Sequence, residues 1–373
     1  MTNMKRRTGK VSAITGRGMR VSSVSASSDL IDSDTLVGFE AEVENYACLM
    51  RIEGNHGWSA KPDGSLRAGI EFVFDAPRKG LQVEQSIEYI TSSDVLVHAS
   101  SPRAGTHIHI DWLDVEESES LYRLAVIAAV IEPGIYAYAG PDRINNTFLV
   151  PLAKNDLRVL AEALGDNDEG SFQNWAVNGS RYRGTNFTAL RRFGSVEFRY
   201  FPAITSYAEV MTWINLCLML KRAAVARTVD LSAVELAEML SNPVFIRDFI
   251  TNNFSEFGIS QVLLANIDLN SAAKVARILS VAGRTDRPTI PAFWGRSAAA
   301  KRFIDNERNP QGAVDVPAEV LDDVFSDLDA IIEETRFGLR DMGLVYQSAV
   351  DNGASETTVF LNLPTTPTQR GTP

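Results

Sequence analysis

From Leu36 to about Phe201 apolar and polar residues alternate in short runs divided by turn signals, and from about Ser206 onward apolar residues recur at helical spacing. Strands first and helices afterwards predict an α+β fold whose sheet is mostly antiparallel. The stretch "VGFEAEVENY" places Glu40, Glu42 and Glu44 at every second position with Phe39, Ala41 and Val43 between them. Side chains two apart on a strand share a face, so this strand has one apolar side and one row of carboxylates. Three further runs repeat the pattern. In "RAGIEFVF" Glu71 shares a face with Arg67, opposite Ile70, Phe72 and Phe74. In "THIHIDW" His107, His109 and Asp111 lie opposite Ile108, Ile110 and Trp112. In "GSVEFRYF" Glu197 and Arg199 lie opposite Val196, Phe198 and Tyr200. "KPDGSL" is a turn by its Pro-Asp-Gly and leads from Trp58 into the second of these strands.

Among the helices, "EESESLYRLAVIAAVIEPG" has acids in its first turn and is expected to end at Pro133 and Gly134. "RVLAEAL" is another. Ser232 precedes Glu235 by three residues, the spacing of a capping box. "SAAKVARILSVAG" and "PAEVLDDVFSDLDAIIEETRFGLRDMG" continue the helical pattern. The expected divisions are a basic, Ser-rich tail over 1–30, a catalytic core over 31–230, a helical region over 231–355, and a disordered Pro/Thr-rich tail over 356–373.

Composition narrows the classes. With 373 residues, 45% of them hydrophobic, the chain can bury a large core. A net charge of −11 argues against a nucleic-acid-binding surface over the whole protein. Cys48 and Cys217 form no disulfide framework, are expected to be buried, and suit a reducing cytoplasm. The uncharged run Val210 to Leu220 is too short to cross a bilayer, so neither membrane nor nucleic acid is an expected partner. Phe39, Trp58, Tyr136, Tyr138 and Trp175 are expected to pack in the core rather than stack on a base.

The candidate chemistry lies in the polar halves of the strands. Ordinary solvated faces would hold interchangeable Lys, Thr, Ser and Glu, whereas these hold Glu pairs, a His-x-His-x-Asp and a Glu-x-Arg. Gathered on one concave face, they would need cations to neutralise them. Oxygen ligands select hard ions, favouring Mg²⁺, or Mn²⁺ where an imidazole joins them. All four histidines, His56, His98, His107 and His109, fall in the first third, which removes a barrel-type zinc hydrolase needing later ones. The phosphate-binding loop, the dinucleotide fingerprint and the serine-hydrolase elbow are all absent from the sequence.

In their order, "GFEAEVE", "WSAKPDGSLRAGIEFVF", "THIHIDW", "YRGTNFTAL" and "GSVEFRYF" resemble the amidoligase family, distant relatives of glutamate-cysteine ligase and glutamine synthetase. The resemblance covers about residues 36 to 225. It implies a curved antiparallel sheet with a concave active face and an ATP-dependent carboxylate-amine ligase working through an acyl phosphate. It also implies ATP and Mg²⁺ (or Mn²⁺) as cofactors, with Glu40, Glu42, Asp63, Glu71, His109 and Glu197 as metal ligands. Arg199, Glu197 and Lys61 would act in catalysis. Arg143, Arg181, Arg183 and Asn186 would touch substrate or phosphate. The substrates would be small-molecule or peptide carboxylates and amines. Two other readings are a non-catalytic binding or structural module, of the kind found in phage, and a metal-dependent hydrolase or phosphotransferase using the same cleft.

Overall fold

The structure is a computed structural model and describes residues 9–20, 28–44, 56–64, 66, 69–93, 101, 103–140, 143, 151–152, 157–165, 169–178, 181–226, 231–282, 345–347 and 360–362. The alternating runs form six strands: β1 (Val37–Val43), β2 (Trp58–Asp63), β3 (Gly69–Phe74), β4 (Gly105–Asp111), β5 (Thr185–Asn186) and β6 (Ser195–Pro202). They build one open sheet in the order β2-β3-β1-β4-β6-β5, with each neighbouring pair antiparallel. The expected α+β class with an antiparallel sheet is therefore observed.

Helices pack around the sheet. They are α1 (Val11–Thr15), α2 (Leu81–Thr91), α3 (Glu119–Ala139), α4 (Leu157–Gly165), α5 (Glu169–Asn178), α6 (Ala189–Phe193) and α7 (Tyr207–Val225). The sheet presents Phe39, Phe72, Ile108, Ile110, Val196 and Phe198, all fully or nearly fully buried. Across it lie α3, against β6, and α7, against β4. Burying each such side chain stabilises the fold by about 1.5–3 kcal/mol. Trp58 packs edge-on to Phe39 and Phe74, and its indole N–H donates to the Ser86 carbonyl of α2. Phe39, Trp58, Tyr136 and Trp175 are core residues as expected, whereas Tyr138 is half-buried.

α3 is long and apolar enough to cross a membrane, but most of it is enclosed by the protein. It runs on through Pro133 to Ala139, beyond its expected end. Proline removes a backbone donor and usually breaks a helix. Here its ring lies on an exposed position while residues on both sides stay buried, so packing of the flanks carries the helix through. A third layer follows: α8 (Ala233–Leu240), α9 (Pro243–Asn253), α10 (Ile259–Asn266) and α11 (Leu269–Ala282), with α8, α10 and α11 packed on α3. The capping box of Ser232 and Glu235 starts α8 as its spacing predicts. The buried Glu119 of α3 accepts a bond from the Ala233 N–H at the same helix start.

Residues 9–20 correct the expectation of a tail. Val11 and Ile14 are buried, and the segment is tied to residues 113–118 by Val11 N–H to Glu116 O, Ser118 N–H to Gly9 O and Arg20 N–H to Leu113 O. Its two apolar side chains, hidden between the basic ones, supply the adhesion. The unit spanning residues 317–373 contains the antiparallel pair β7 (Val345–Gln347) and β8 (Phe360–Asn362). Strand therefore occurs where the helical region and the disordered tail were expected. The helical reading of 317–343 and the Pro/Thr-rich end after Asn362 lie outside the described residues, as does Cys48, while Cys217 is buried.

Candidate functional site

The polar faces of the strands converge. Register sets Lys61 of β2 opposite Glu71 of β3, and Glu71 opposite Glu42 of β1. Glu40 stands opposite His107, and His109 stands opposite Glu197, which in turn faces Asn186 of β5. All six strands of the sheet thus contribute. Gly38 occupies the β1 position facing His109, where an added Cβ would come to 3.0 Å from the histidine Cβ. A side chain there would push the imidazole out of the row.

The contacts are close. His107 Nδ1 lies 3.1 Å from Glu40 Oε2 and 3.6 Å from Glu197 Oε1, and its Nε2 lies 3.6 Å from Glu42 Oε1. His109 Nε2 lies 3.4 Å from Glu40 Oε1, while its Nδ1 meets Ser195 Oγ at 3.1 Å. Lys61 Nζ is 2.7 Å from Glu71 Oε2, and Arg199 pairs with Glu197. Supporting groups hold the acids still: the Asn186 amide donates to Glu197 Oε2 at 2.6 Å, and Gly105 N–H donates to Glu42 Oε2 at 2.7 Å. Glu44, the third acid of the opening stretch, is bound by Ser101 at 2.6 Å instead.

Protonation shows how strained the charge balance is. Burial opposes the charge of Glu40, but His107 and His109 hold its pKa well below the usual carboxylate range. Burial, and then the hydrogen bond and charge of the neighbouring Glu40, pushes Glu71 up to about 8, so that it holds the proton of a hydrogen bond to the ionised Glu40. Burial opposes charge on His109 too, yet Glu40 and Glu197 raise its pKa. Burial would raise Glu197, but Arg199, His109 and His107 bring it down. Protons therefore do part of the neutralising, at positions where a divalent cation could replace them.

Two sets of donors suit such an ion among the described residues: Glu40, His109 and Glu197, and Glu40, Glu71 and His107, each with ligand atoms within 4.8 Å of one another. Carboxylate oxygens with an imidazole match Mg²⁺ or, better, Mn²⁺. Of the residues expected at the site, Glu40, Glu42, Glu71, His109, Glu197, Arg199, Lys61 and Asn186 are brought together. His107, passed over in favour of His109, touches three of the acids; its equal share of the strand face was the available signal.

Other expected site residues stand elsewhere. Asp63 ends β2 opposite Gly69 and belongs to neither donor set. Arg143 is buried and donates to the carbonyls of Ala104, Arg199 and Tyr200 at 3.2, 2.9 and 3.1 Å. The β4–β6 register shifts between Thr106 and Ile108, and β6 has one more residue than β4 across that step. Arg143 thus satisfies carbonyls at a bulge, and its guanidinium is engaged by that backbone beside Gly105. Arg183 is likewise buried, 4.5 Å over the Trp175 ring and bonded to that residue's carbonyl. Arg181 is exposed and stacks on Tyr182.

Residues 69–221 match the family model described as "Putative amidoligase enzyme". No curated protein matches the chain. The matched stretch runs from β3 into α7 and contains Glu71, His107, His109, Asn186, Glu197 and Arg199.

Proposed function

We propose, with residues 69–221 belonging to the amidoligase family, that this protein is an ATP-dependent ligase that joins a carboxylate to an amine. The observation that carries the reading is the convergence of three acids and two imidazoles on one sheet face, in two donor sets that share Glu40. We take the sheet to be of the glutamine synthetase and glutamate-cysteine ligase type, with this face as the active one.

In the proposed reaction the γ-phosphoryl of ATP passes to the substrate carboxylate, and the amine then displaces phosphate from the acyl phosphate. Glu40, Glu71, Glu197, His107 and His109 would hold Mg²⁺ or Mn²⁺, with Glu42 fixed beside them by Gly105. A bound divalent ion supplies charge neutralisation for the phosphates. Arg199, braced by Glu197, can stabilise negative charge gathering on the transferring group, and Lys61 can reach an anion from the half-open side. Asn186 and Ser195 keep Glu197 and His109 in place, so the acids do not reorganise as charge moves. Such chemistry needs positioning more than a nucleophilic side chain. We place the enzyme in the cytoplasm, where ATP is held and the thiol of Cys217 stays reduced.

The test is phosphate release from ATP with Mg²⁺ across pairs of carboxylates and amines, with mass spectrometry for a product lighter than its components by one water. Turnover that needs both partners, and is lost in Glu197→Gln, supports the ligase. Turnover indifferent to the amine favours a hydrolase or phosphotransferase. No turnover and no nucleotide binding favours a non-catalytic module.

A further inference from the structure

Around the end of α6, beside the acid row, three arginines stand without a carboxylate. Arg191 and Arg192 are exposed, and neither guanidinium has an ion-pair or hydrogen-bond partner among the described residues. Arg17 of the N-terminal segment, also exposed, donates to the Arg191 and Arg192 carbonyls, which are neutral and leave its charge uncompensated. The acids beside this rim are already engaged. Lys10 holds Glu116 at 3.1 Å, Arg20 holds Asp111 at 2.9 Å, Arg78 holds Asp75 at 3.2 Å, and the two histidines hold Glu40.

Two large apolar side chains join the three cations: Met19, 57% exposed, and Phe193, 46% exposed. Leu113 links them, since it lines a small hollow with Met19 and Arg17 and packs so close to Gly194 that an added Cβ there would lie 2.5 Å from its Cδ1. The Phe193 ring meets His109 edge to face at 5.5 Å and carries the Arg192 guanidinium 4.8 Å over its face. Burial opposes the charge of Lys61 and Glu71 restores it, raising the pKa, while Arg192 is near enough to repel it, so the rim borders the acid row. Arginine, methionine and aromatic residues are those enriched in protein interfaces. Because Arg17 already fixes the turn, little ordering is needed on binding. The net charge of −11 repels a long polyanion, whereas a local excess of cations attracts a short anionic segment. A pocket of about 270 Å³, walled by Phe193, Arg20, His109 and Glu40, joins the rim to the row and has room for one side chain rather than a drug-sized molecule.

We propose that this rim docks an acidic peptide segment that carries an apolar side chain. Its carboxylates lie on Arg17, Arg191 and Arg192, and its apolar side chain lies on Phe193 and Met19. That the segment is the carboxylate substrate, with one residue reaching the row through the pocket, rests on the ligase reading. The docking itself does not.

Fluorescence anisotropy on the whole chain tests it, with a labelled peptide of glutamates around one leucine. This peptide binds, less tightly as salt is added, and its glutamine counterpart binds at least about tenfold more weakly. The double variant Arg191→Gln, Arg192→Gln weakens the acidic peptide by about fivefold or more at an unchanged melting temperature, the worth of two exposed ion pairs. Arg247→Gln, equally exposed on α9, has no effect. Phe193→Ala weakens the leucine peptide and leaves one with glycine in its place unaffected, a split that misfolding cannot mimic. Equal binding of the glutamate and glutamine peptides, or equal effects of the rim and α9 substitutions, overturns the proposal. So does an oligonucleotide of the same charge that binds as tightly as the peptide. Docking as described without ATP turnover on the peptide leaves the surface standing and removes the peptide as substrate. ATP-dependent ligation of a small carboxylate by a chain that docks no acidic peptide overturns the docking and keeps the ligase reading.

Discussion

The two faces of the sheet are made by the same strands, residue by alternate residue, yet they are held by opposite means. Behind, Phe39, Phe72, Ile108 and Phe198 meet α3 and α7, and each contact lowers the free energy of the chain unaided. In front, Glu40, Glu71, His107, His109 and Glu197 stand close enough to raise it, and borrowed protons limit the cost. One face stabilises the scaffold, and the other stores an electrostatic debt that the scaffold can carry. The difference teaches that the front is arranged for a ligand, since folding alone would favour neutral side chains there.

The contrast can be broken most strongly from behind. Phe198→Ala, one residue from Glu197 but on the helical side, should cost about 3–5 kcal/mol in urea unfolding. Next comes the joint between the faces. Arg143→Leu removes the donor to three carbonyls at the β6 bulge and should cost about 3 kcal/mol in the same measurement, with activity falling in step as the Arg199 backbone loosens. At the front the sign reverses. Glu71→Gln should leave the metal-free melting temperature equal or higher, because burial and Glu40 hold Glu71 above its ordinary pKa and the amide avoids placing a charge there. The rise expected on adding Mn²⁺ to the natural protein, about 2.7 kcal/mol of stability at a hundredfold excess over Kd, should shrink in the variant. A melting temperature that falls sharply in Glu71→Gln would show the front face to be structural after all.

The smallest effect supplies the solvent baseline. Glu256, hydrogen-bonded to Arg222 with its other oxygen 2.7 Å from the guanidinium, is half-buried at the surface, and that partner lowers its pKa. Its contribution is present above the pKa of the unfolded chain and disappears as pH falls through the lower folded value. Glu256→Gln should therefore cost less than about 1 kcal/mol at pH 7 and nothing in strong acid, by denaturation at the two pH values.

Much of this was legible because alternation on a strand names the face. Glu40, Glu42, Glu71, His109 and Glu197 could be grouped before any strand order was known. What alternation cannot show is reach. Arg143 and Arg183 sit among chemically suggestive neighbours in the sequence, but a bulge and a tryptophan ring take their guanidiniums, and both depend on contacts between distant segments. The same applies to Pro133, whose helix persists because both flanks are buried, and to residues 9–20. Two apolar side chains among many basic ones, Val11 and Ile14, are too few to betray a docked segment by periodicity.

That docked segment has a practical consequence. Arg20 forms part of the pocket wall and Arg17 steadies the turn bearing Phe193, so a recombinant version shortened at its start, or fused there to a bulky tag, would present an altered cleft. Screens for partner molecules run on a trimmed protein would then be sampling the wrong specificity while the purified material still looked well folded.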